Sequence, residues 1–270
     1  FGPGAEIIMH AAAYKDAPFL EQQPLAAIRN NVITTRRLFS AAEVHGAERF
    51  VLVSTDKAVC PLGVMGATKR FAELLLLASL SSRTQATVVR LVNVWGSRGS
   101  VIPRFAEQVS CGCPLTVTSR EATRYFIEPL EAVHLILDAL ELGRGGDILV
   151  PEVGPQVSIM DIARELLGLE GRSGSVEQQI EITGLRPGDK LQEQLFHDYE
   201  CRESTGLAGV TRIVGPLPDA AMVASVADQL EHALAVGDPV LALDLLRQAV
   251  PEYSGDSARF MDPLHSSSSG

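Results

Sequence analysis

Residues 49–57 read RFVLVSTDK: an apolar, β-branched run, Arg49–Ser54, that passes directly into polar and charged residues. A segment with helical spacing follows at Val64–Ser79, and a second apolar run follows that helix at Ala86–Val94. Apolar runs of this length are typical of strands buried on both faces, and a helix between two of them indicates a parallel crossover unit. This stretch therefore predicts an α/β fold.

The same alternation extends outward in both directions. Glu6–Ala13 has the composition of a buried strand that runs into a loop of small residues, and Pro24–His45 has helical spacing. Downstream, Glu128–Leu142 is predicted as an amphipathic helix closed by Gly143, and Asp147–Val153 as a strand. Together these segments predict a doubly wound parallel sheet that is covered on both faces.

The pattern changes after Gly154. A helix is predicted at Val157–Leu169, a short strand at Ile180–Ile182, and a helical pair at Ala220–Val236 and Pro239–Val250. We therefore predict a sheet region and a smaller C-terminal region, followed by a loose tail. The sheet region covers 1–153, the C-terminal region covers 154–250 with a contribution from 99–122, and the tail covers 251–270.

Composition narrows the function classes. The chain has 270 residues, 46% of them hydrophobic and 21% charged, with a formal net charge of −10. An acidic chain is not expected to bind a nucleic-acid backbone, although a few local arginines can still hold an anionic small molecule. The cysteines lack the spacing of a zinc site, so no metal is expected, and their usage favours a reducing, cytoplasmic setting. No apolar run reaches the length of a membrane span.

Three polar segments lie at or between the strand ends of the predicted sheet. Ser54–Lys57 brings a hydroxyl, a carboxylate and an ammonium together, and Asn93–Ser100 carries two glycines with Arg98. Met65–Lys69 opens the intervening helix, where its first and last positions share a face. Because ligands bind beyond the carboxyl ends of parallel strands, these segments predict a shared site. Each alone also fits a plain structural role: a capped helix entry, a surface lysine or a glycine-rich turn.

These segments occur in one order with several others: His10–Lys15, Asn30–Val32, Ser54–Ala58, Met65–Arg70, Asn93–Pro103, Thr123–Phe126 and Gly184–Lys190. The combination resembles the CapD-type polysaccharide-biosynthesis proteins. Those proteins are extended short-chain dehydrogenase/reductase (SDR) enzymes, similar to UDP-N-acetylglucosamine 4,6-dehydratases and built on a Rossmann fold. The resemblance extends over most of the chain, from residue 6 to residue 250.

The resemblance implies an activity and a cofactor. NAD+ would serve as a built-in redox agent: hydride leaves sugar C4, water is lost across C5 and C6, and hydride returns to C6. The implied substrate is a UDP-N-acetylhexosamine, and the implied product is a 4-keto-6-deoxy sugar nucleotide for surface polysaccharide. Because NAD+ is regenerated in each turnover, the net reaction is that of a lyase.

The resemblance also implies roles for individual residues. Asp56 matches the acid that protonates the departing C6 oxygen, Lys57 the candidate base for the C5 proton, and Lys69 the lysine that holds the nicotinamide ribose. A lysine can act as a base only if burial or neighbouring charge lowers its pKa. Met65 stands where most SDR enzymes have the catalytic tyrosine. Because a thioether cannot transfer a proton, Thr55 becomes the candidate relay for the C4 hydroxyl proton.

Two further groups of residues would surround these. The sheet region would be the remainder of an NAD-binding Rossmann domain, and the C-terminal region would bind the substrate. The cofactor-binding residues would be His10, Ala11, Ala12, Tyr14, Asn30, Ser54 and Lys69. The substrate-binding residues would be Asn93, Arg98, Ser100, Arg124 and Arg186, of which Arg124 and Arg186 match positions that clamp the diphosphate.

One part of the SDR pattern does not stand at the start of the sequence: the strand, glycine-rich G-x-x-G-x-x-G turn and helix that bind the NAD pyrophosphate. We accordingly expect a partial Rossmann-like sheet without its first βαβαβ unit, and Glu6–Ala13 as an exposed apolar edge. This chain alone is then expected to bind NAD+ weakly or not at all. The expected protein partner is a missing N-terminal segment or, in a homo-oligomer, a second copy of this chain. Full-length relatives of this kind can be membrane-attached.

Two other functions stay open at this point. A nucleotide-sugar 4-epimerase shares the fold and the hydride step, but it relies on the tyrosine that Met65 replaces and does not need the Asp56–Lys57 pair. A non-catalytic remnant that binds a nucleotide sugar or a partner protein would fit the missing unit. The intact Asp56, Lys57 and Lys69 count against that remnant.

Overall fold

The computed structural model describes residues 4–79, 82–169 and 176–255. A six-stranded sheet forms its centre, and three two-stranded sheets lie outside it. The strands in chain order are β1 Ile7–His10, β2 Arg49–Thr55, β3 Gln85–Leu91, β4 Asn93–Val94, β5 Leu115–Val117, β6 Thr123–Arg124, β7 Phe126–Ile127, β8 Asp147–Pro151, β9 Val157–Ser158, β10 Ile180–Ile182, β11 Cys201–Ser204 and β12 Val210–Val214.

The central sheet has the strand order β1-β2-β3-β8-β12-β11, and its first four strands are parallel. Both β2 and β3 are buried over most of their length, which explains why they form continuous apolar runs in the sequence. Their register pairs Arg49 with Gln85 and Thr55 with Leu91, so the two strands end at the same edge. The predicted α/β fold with a mostly parallel central sheet is confirmed.

Helices cover both faces of this sheet. In chain order they are α1 Ala17–Gln22, α2 Pro24–Ile28, α3 Thr34–Val44, α4 Val64–Leu77, α5 Val101–Ser110, α6 Pro129–Leu142, α7 Ile159–Leu169, α8 Ala220–Val236 and α9 Pro239–Ala249. On one face every residue of α4 is buried, and α4 packs with α2, α3, α8 and α9. On the other face α6 places Leu135 and Ala139 against Val51, Val89 and Leu149 of the sheet.

A smaller lobe has its own hydrophobic cluster. Helices α5 and α7 and the paired strands β5 and β10 contribute to it, around Phe105, Leu115 and Ile159. Two short pairings, β4 with β7 and β6 with β9, lie beside it. Because a single residue, Val92, separates the end of β3 from the start of β4, this lobe is attached at the edge of the sheet where the parallel strands end.

The C-terminal part of the chain departs from the sequence prediction. Strand β12 pairs antiparallel with β8, and β11 pairs antiparallel with β12, so both strands extend the main sheet. Helices α8 and α9 pack in the same core as α4. As structural units, residues 201–249 therefore belong with the sheet, which corrects the prediction of a single region over 154–250. Which region binds the substrate stays a prediction.

Two local predictions are modified by the structure. Pro24–His45 is helical as far as Val44, as predicted, but a π-helical turn at Arg29–Ile33 separates α2 from α3. The tail predicted to be loose from 251 is packed as far as 255: Tyr253 is only 5% exposed, and the Ser254 N–H donates to the Pro61 carbonyl at 3.2 Å. Tyr253 packs in the main hydrophobic core, and Arg247 Nε donates to the Gly255 carbonyl at 3.2 Å. Residues 256–270 of the predicted tail lie outside the described residues.

Strand β1 forms one edge of the sheet. Its Ile7 and Met9 are 48% and 47% exposed, as predicted for an apolar edge, although the strand covers only Ile7–His10. Within the described ranges, no helix combines the length and apolar character that crossing a bilayer requires. In the same ranges, no group of three or more His, Cys, Asp or Glu residues is arranged to hold a metal ion.

Candidate active site

The centre of the site is the turn that follows β2. Thr55 ends the strand and caps a 3-10 turn, Asp56–Ala58, by accepting a hydrogen bond from the Lys57 N–H at 3.4 Å. The start of α4 packs directly on this turn because Gly66 has no side chain. A β-carbon at Gly66 would lie 2.2 Å from the Lys57 carbonyl oxygen. This close approach brings the helix that carries the predicted Met65 and Lys69 against the polar turn.

The Lys57 ammonium joins three parts of the chain. Its Nζ lies 2.9 Å from Asp56 Oδ1, 3.3 Å from Asn93 Oδ1 and 3.4 Å from Glu193 Oε1. Asn93 follows β3 and is oriented by its own Nδ2, which donates to the Tyr125 carbonyl at 2.9 Å. The structure therefore brings Asp56, Lys57 and Asn93 together, at the edge where the sequence predicted that the strand ends converge.

Burial and neighbouring charge set the protonation of this cluster. Burial raises the pKa of the Asp56 carboxyl, although the Lys57 ammonium opposes this, and the Glu193 carboxylate raises it further. Burial lowers the pKa of Lys57, but the carboxylates of Asp56 and Glu193 together outweigh it, and the Lys57 pKa lies above its usual value. The condition for Lys57 to act as a base, a lowered pKa, is therefore not met in this arrangement.

The other three predicted catalytic positions surround the turn. Lys69 is buried, and its Nζ donates to the Val53 carbonyl at 2.7 Å. Burial lowers the pKa of Lys69 to about 8, although the Glu73 carboxylate opposes this. Met65 is buried one turn earlier on α4. The Thr55 hydroxyl donates to Asp56 Oδ1 at 3.0 Å, so the predicted relay is bonded to the predicted acid.

Two of the predicted cofactor-binding residues have side chains that are bonded in the interior. The His10 Nε2 lies 2.9 Å from Thr35 Oγ1, and the Ser54 hydroxyl donates to Glu73 Oε1 at 2.6 Å. Burial, with a contribution from the Lys69 charge, lowers the pKa of His10 to about 4, so its ring is neutral at pH 7. A contact of these two residues with a cofactor would therefore have to come from their backbone.

The remaining predicted cofactor residues lie in and beside the loop after β1. Ala11, Ala12 and Tyr14 are exposed there. Sequence reasoning missed the residue that holds this loop, Asn31: its Oδ1 accepts from the Tyr14 N–H at 2.8 Å, and its Nδ2 donates to the Tyr14 carbonyl at 3.0 Å. The predicted Asn30 donates to the same Oδ1 at 3.0 Å. Asn31 is an interior residue of the quoted motif, and only the structure shows which loop it bonds.

The predicted diphosphate clamp is already bonded to protein. Arg124 donates to the Lys190 carbonyl at 2.9 Å and to the Leu191 carbonyl at 3.1 Å. Arg186 is more exposed and forms an ion pair with Asp189 at 2.9 Å. Both arginines therefore order the loop that contains the Gly184–Lys190 motif.

The glycine-rich segment after β4 makes few side-chain contacts. Arg98 is exposed, and its carbonyl accepts from Lys15 Nζ at 2.5 Å. Ser100 precedes α5, and its buried hydroxyl has no hydrogen-bond partner among the described residues. The structure does not bring either residue into the cluster around Lys57.

A carboxylate that sequence reasoning missed completes the site. Glu193 is 3% exposed, and its Oε1 lies 3.6 Å from Arg124 Nε while its Oε2 lies 3.6 Å from Lys190 Nζ. Burial raises the pKa of Glu193, but Lys57, Lys190 and Arg124 outweigh it, so the net direction is downward. The quoted motif ends at Lys190, and no sequence signal shows that the following residues fold back onto the Asp56 turn.

A cleft opens beside this cluster. The charged residues Lys57, Arg124, Lys190 and Glu193 line it together with Met65 and the glycines at 63, 66 and 188. Small residues keep the walls close to the backbone: a β-carbon at Gly63 would lie 2.8 Å from the Gly188 Cα. The loop of the Gly184–Lys190 motif and the start of α4 thus form opposite walls of one cleft.

A buried ion network supports the floor of the site. Arg90 of β3 is fully buried and binds Glu73 of α4 and Glu200, with closest distances of 2.9 and 2.8 Å. Arg70 joins the same network through Glu73 at 3.0 Å. Because Glu73 also accepts the Ser54 hydroxyl, the network connects the end of β2 with the segment before β11.

Comparison with known proteins identifies the family. Residues 3–214 match the model of the polysaccharide biosynthesis protein family. The chain belongs to this family. The resemblance read from the sequence is confirmed.

Two relatives within the family have similar identity to this chain. The probable polysaccharide biosynthesis protein EpsC of Bacillus subtilis is 46% identical over 72% of this chain, and the capsular polysaccharide biosynthesis protein CapD of Staphylococcus aureus is 45% identical over 72%. The match covers 32% of each relative, so the chain spans about a third of their length. The UDP-glucose 4-epimerase of Rickettsia canadensis is 36% identical over 78% of this chain and 61% of its own length.

A solved structure supports the fold assignment. Pen from Bacillus thuringiensis superposes with a TM-score of 0.71 at 31% identity, over 78% of this chain and 66% of that chain. The G-x-x-G-x-x-G spacing itself occurs in this sequence at 168–174, but its first glycine, Gly168, lies inside α7 and not after a strand. It therefore lacks the strand-turn-helix context of a dinucleotide-binding turn.

Proposed function

We propose that this chain carries the catalytic centre of an NAD-dependent nucleotide-sugar 4,6-dehydratase that acts on a UDP-N-acetylhexosamine. The observation that carries this proposal is the fully buried Asp56 carboxyl, with a raised pKa, beside an ammonium at the carboxyl ends of parallel strands. Loss of water from C6 needs an acid that can donate a proton, and the raised pKa favours the protonated form of Asp56.

The edge next to β1 fits the cofactor. The exposed small residues Ala11 and Ala12 leave room for close approach, and Tyr14 borders them. Lys69 would hold the nicotinamide ribose, because its amine lies near the end of β2 and keeps a proton at neutral pH with a pKa of about 8. When bound, NAD+ would supply the redox chemistry at sugar C4.

Asp56 and Lys57 would act on the other half of the sugar. Asp56 Oδ2 is buried and has no hydrogen-bond partner among the described residues, so it is the oxygen to which we assign the proton. Its proton would pass to the departing C6 oxygen. The C5 proton would pass to a water molecule in the cleft. Lys57 stays an ammonium in this arrangement, which fits stabilisation of the negative charge that develops on the sugar as that proton leaves. This replaces the role of C5 base that the resemblance implied for Lys57.

The substrate would enter the cleft lined by Arg124 and Lys190. An anionic diphosphate complements the positive charge of these residues. Thr55 is the proposed relay for the proton that leaves the C4 hydroxyl, because Met65 cannot take up that proton and the Thr55 hydroxyl is already bonded to Asp56. EpsC is named for polysaccharide biosynthesis and CapD for capsular polysaccharide biosynthesis, which supports a role for the proposed reaction in the synthesis of surface polysaccharide. We propose the cytoplasm as its location.

The product distinguishes the proposed reaction from epimerisation. NAD+ and UDP-N-acetylglucosamine are added to this chain and, in parallel, to the longest protein that its gene encodes, and products are read by mass spectrometry and NMR. A dehydratase lowers the mass of the sugar nucleotide by one water and yields a 4-keto carbon signal. An unchanged mass with inversion at C4 would show an epimerase instead. No conversion by the longest protein would leave the non-catalytic binding function as the remaining explanation.

A further inference from the structure

Glu193 is the least expected member of the site. Its side chain is 1% exposed, yet its Oε2 has no hydrogen-bond partner among the described residues. Lys57, Arg124 and Lys190 lie at 3.4 to 3.6 Å, close enough for electrostatic attraction but longer than strong charged hydrogen bonds. A buried carboxylate among three cations is held by charge and must stay ionised to balance them.

The position of Glu193 is fixed independently of its carboxylate. Its backbone N–H donates to Gln156 Oε1 at 3.2 Å, and its carbonyl accepts from Gln156 Nε2 at 3.0 Å. The same Gln156 oxygen accepts from the Thr123 hydroxyl at 2.9 Å, which fastens the arrangement to β6. The carboxylate is therefore presented to Lys57 by backbone bonds that a side-chain substitution leaves in place.

The Lys57 ammonium lies between two carboxyl groups that differ in their surroundings. Among the residues that the structure describes, Asp56 has only Lys57 as a charged partner within 4 Å, whereas Glu193 has Lys190 and Arg124 in addition. When two buried carboxyls compete for one shared cation, the one with further cations stays ionised, and the other is the first to take up a proton. The environments thus separate the two carboxyls into a standing anion and a group that can exchange a proton.

We propose that Glu193 is a positioning residue that holds the Lys57 ammonium as its lasting counter-ion and so leaves Asp56 available to carry a proton. The catalytic meaning of this inference rests on the proposed function, in which a protonated Asp56 releases water from C6. The effect of Glu193 on the protonation of Asp56 does not depend on that function, because it arises in the chain without substrate or cofactor. The pKa of Asp56 lies above its usual value and the pKa of Glu193 lies below its usual value, which agrees with this division of roles.

The inference is tested by the titration of Asp56. The chain is labelled with ¹³C at the aspartate carboxyl carbons, the Asp56 signal is assigned by its loss in Asp56→Asn, and its midpoint is followed by NMR without substrate. Glu193→Gln removes the charge and is expected to lower the Asp56 midpoint by about one pH unit or more. Glu193→Asp retracts the charge and should lower it by less. Glu203→Gln, on the exposed strand β11, is the matched control and should leave the midpoint unchanged.

An Asp56 midpoint that is the same in wild type, Glu193→Gln and Glu193→Asp would overturn the inference. Amide spectra of the variants verify the fold, and Glu193→Asp keeps the test available if Glu193→Gln does not fold. The proposed function is tested separately, by product formation. If the Asp56 midpoint is lowered in the Glu193 variants but no 4-keto product forms, the role of Glu193 is upheld and the dehydratase is rejected. If 4-keto product forms but the Asp56 midpoint does not move, the dehydratase is upheld and the role of Glu193 is rejected.

Discussion

Replacing Arg90 with methionine should destabilise the protein by about 3 kcal/mol, because it leaves two buried carboxylates without their main cation. The guanidinium is fully buried and donates to both oxygens of Glu73 and both oxygens of Glu200. Removing one partner of a buried pair typically costs about 3–5 kcal/mol.

The pKa of Glu73 leads to the same magnitude. Burial raises the pKa of this carboxyl, but Arg90 and Arg70 outweigh it and lower the pKa from 4.5 to about 2. At about 1.4 kcal/mol for each pH unit, the ionised form contributes about 3 kcal/mol to stability. A depressed carboxyl pKa stabilises above the unfolded value, so this contribution is complete above pH 4.5 and is lost as the pH falls towards 2.

Urea unfolding of wild type and Arg90→Met at pH 7 and at pH 3 measures both effects. The variant should unfold at lower urea at pH 7, and the difference should narrow at pH 3, where the wild type has lost part of the contribution. Arg202→Met on the exposed strand β11 is the matched control and should change stability by less than about 1 kcal/mol. If Arg90→Met lowered the free energy of unfolding no more than Arg202→Met, the buried ion network would not stabilise the protein by about 3 kcal/mol.

Three further substitutions test other parts of the structure. Asp56→Asn should lower 4-keto product formation by about 100-fold or more while the circular dichroism spectrum is retained, and full activity would eliminate Asp56 as the acid. Gly66→Val should cost about 3 kcal/mol in urea unfolding, because its side chain would overlap the turn at Lys57, whereas Gly154→Val meets open space and should be neutral. Tyr253→Ala should cost about 2 kcal/mol, and an effect as small as that of the exposed Leu217→Ala would mean that the C-terminal turn is not packed.

The parallel part of the sheet could be predicted because its strands are buried on both faces. The continuous apolar runs of β2 and β3 identify them, and the polar residues that follow mark where a ligand could bind. That reasoning was sufficient to bring Asp56, Lys57 and Asn93 to one place. It depends only on local pattern and on the direction of the strands.

Other features depend on contacts between distant segments and leave no local pattern. Strand β11 is exposed along its length, so it lacks the alternation that marks a strand. Arg90 lies inside an apolar run, and its partner Glu200 is far away in the sequence. Glu193 likewise becomes part of the site only because the loop that precedes it folds back against the turn after β2.

The bond from Ser254 to the carbonyl of Pro61 has a bearing on how the protein is made. Pro61 directly precedes Leu62 and Gly63, which line the cleft. During translation this segment is made long before Ser254, so nearly all of the described chain must be synthesised before the bond can form. Until then, a nascent chain can have a folded central sheet while the segment at Pro61 still lacks its hydrogen bond from Ser254.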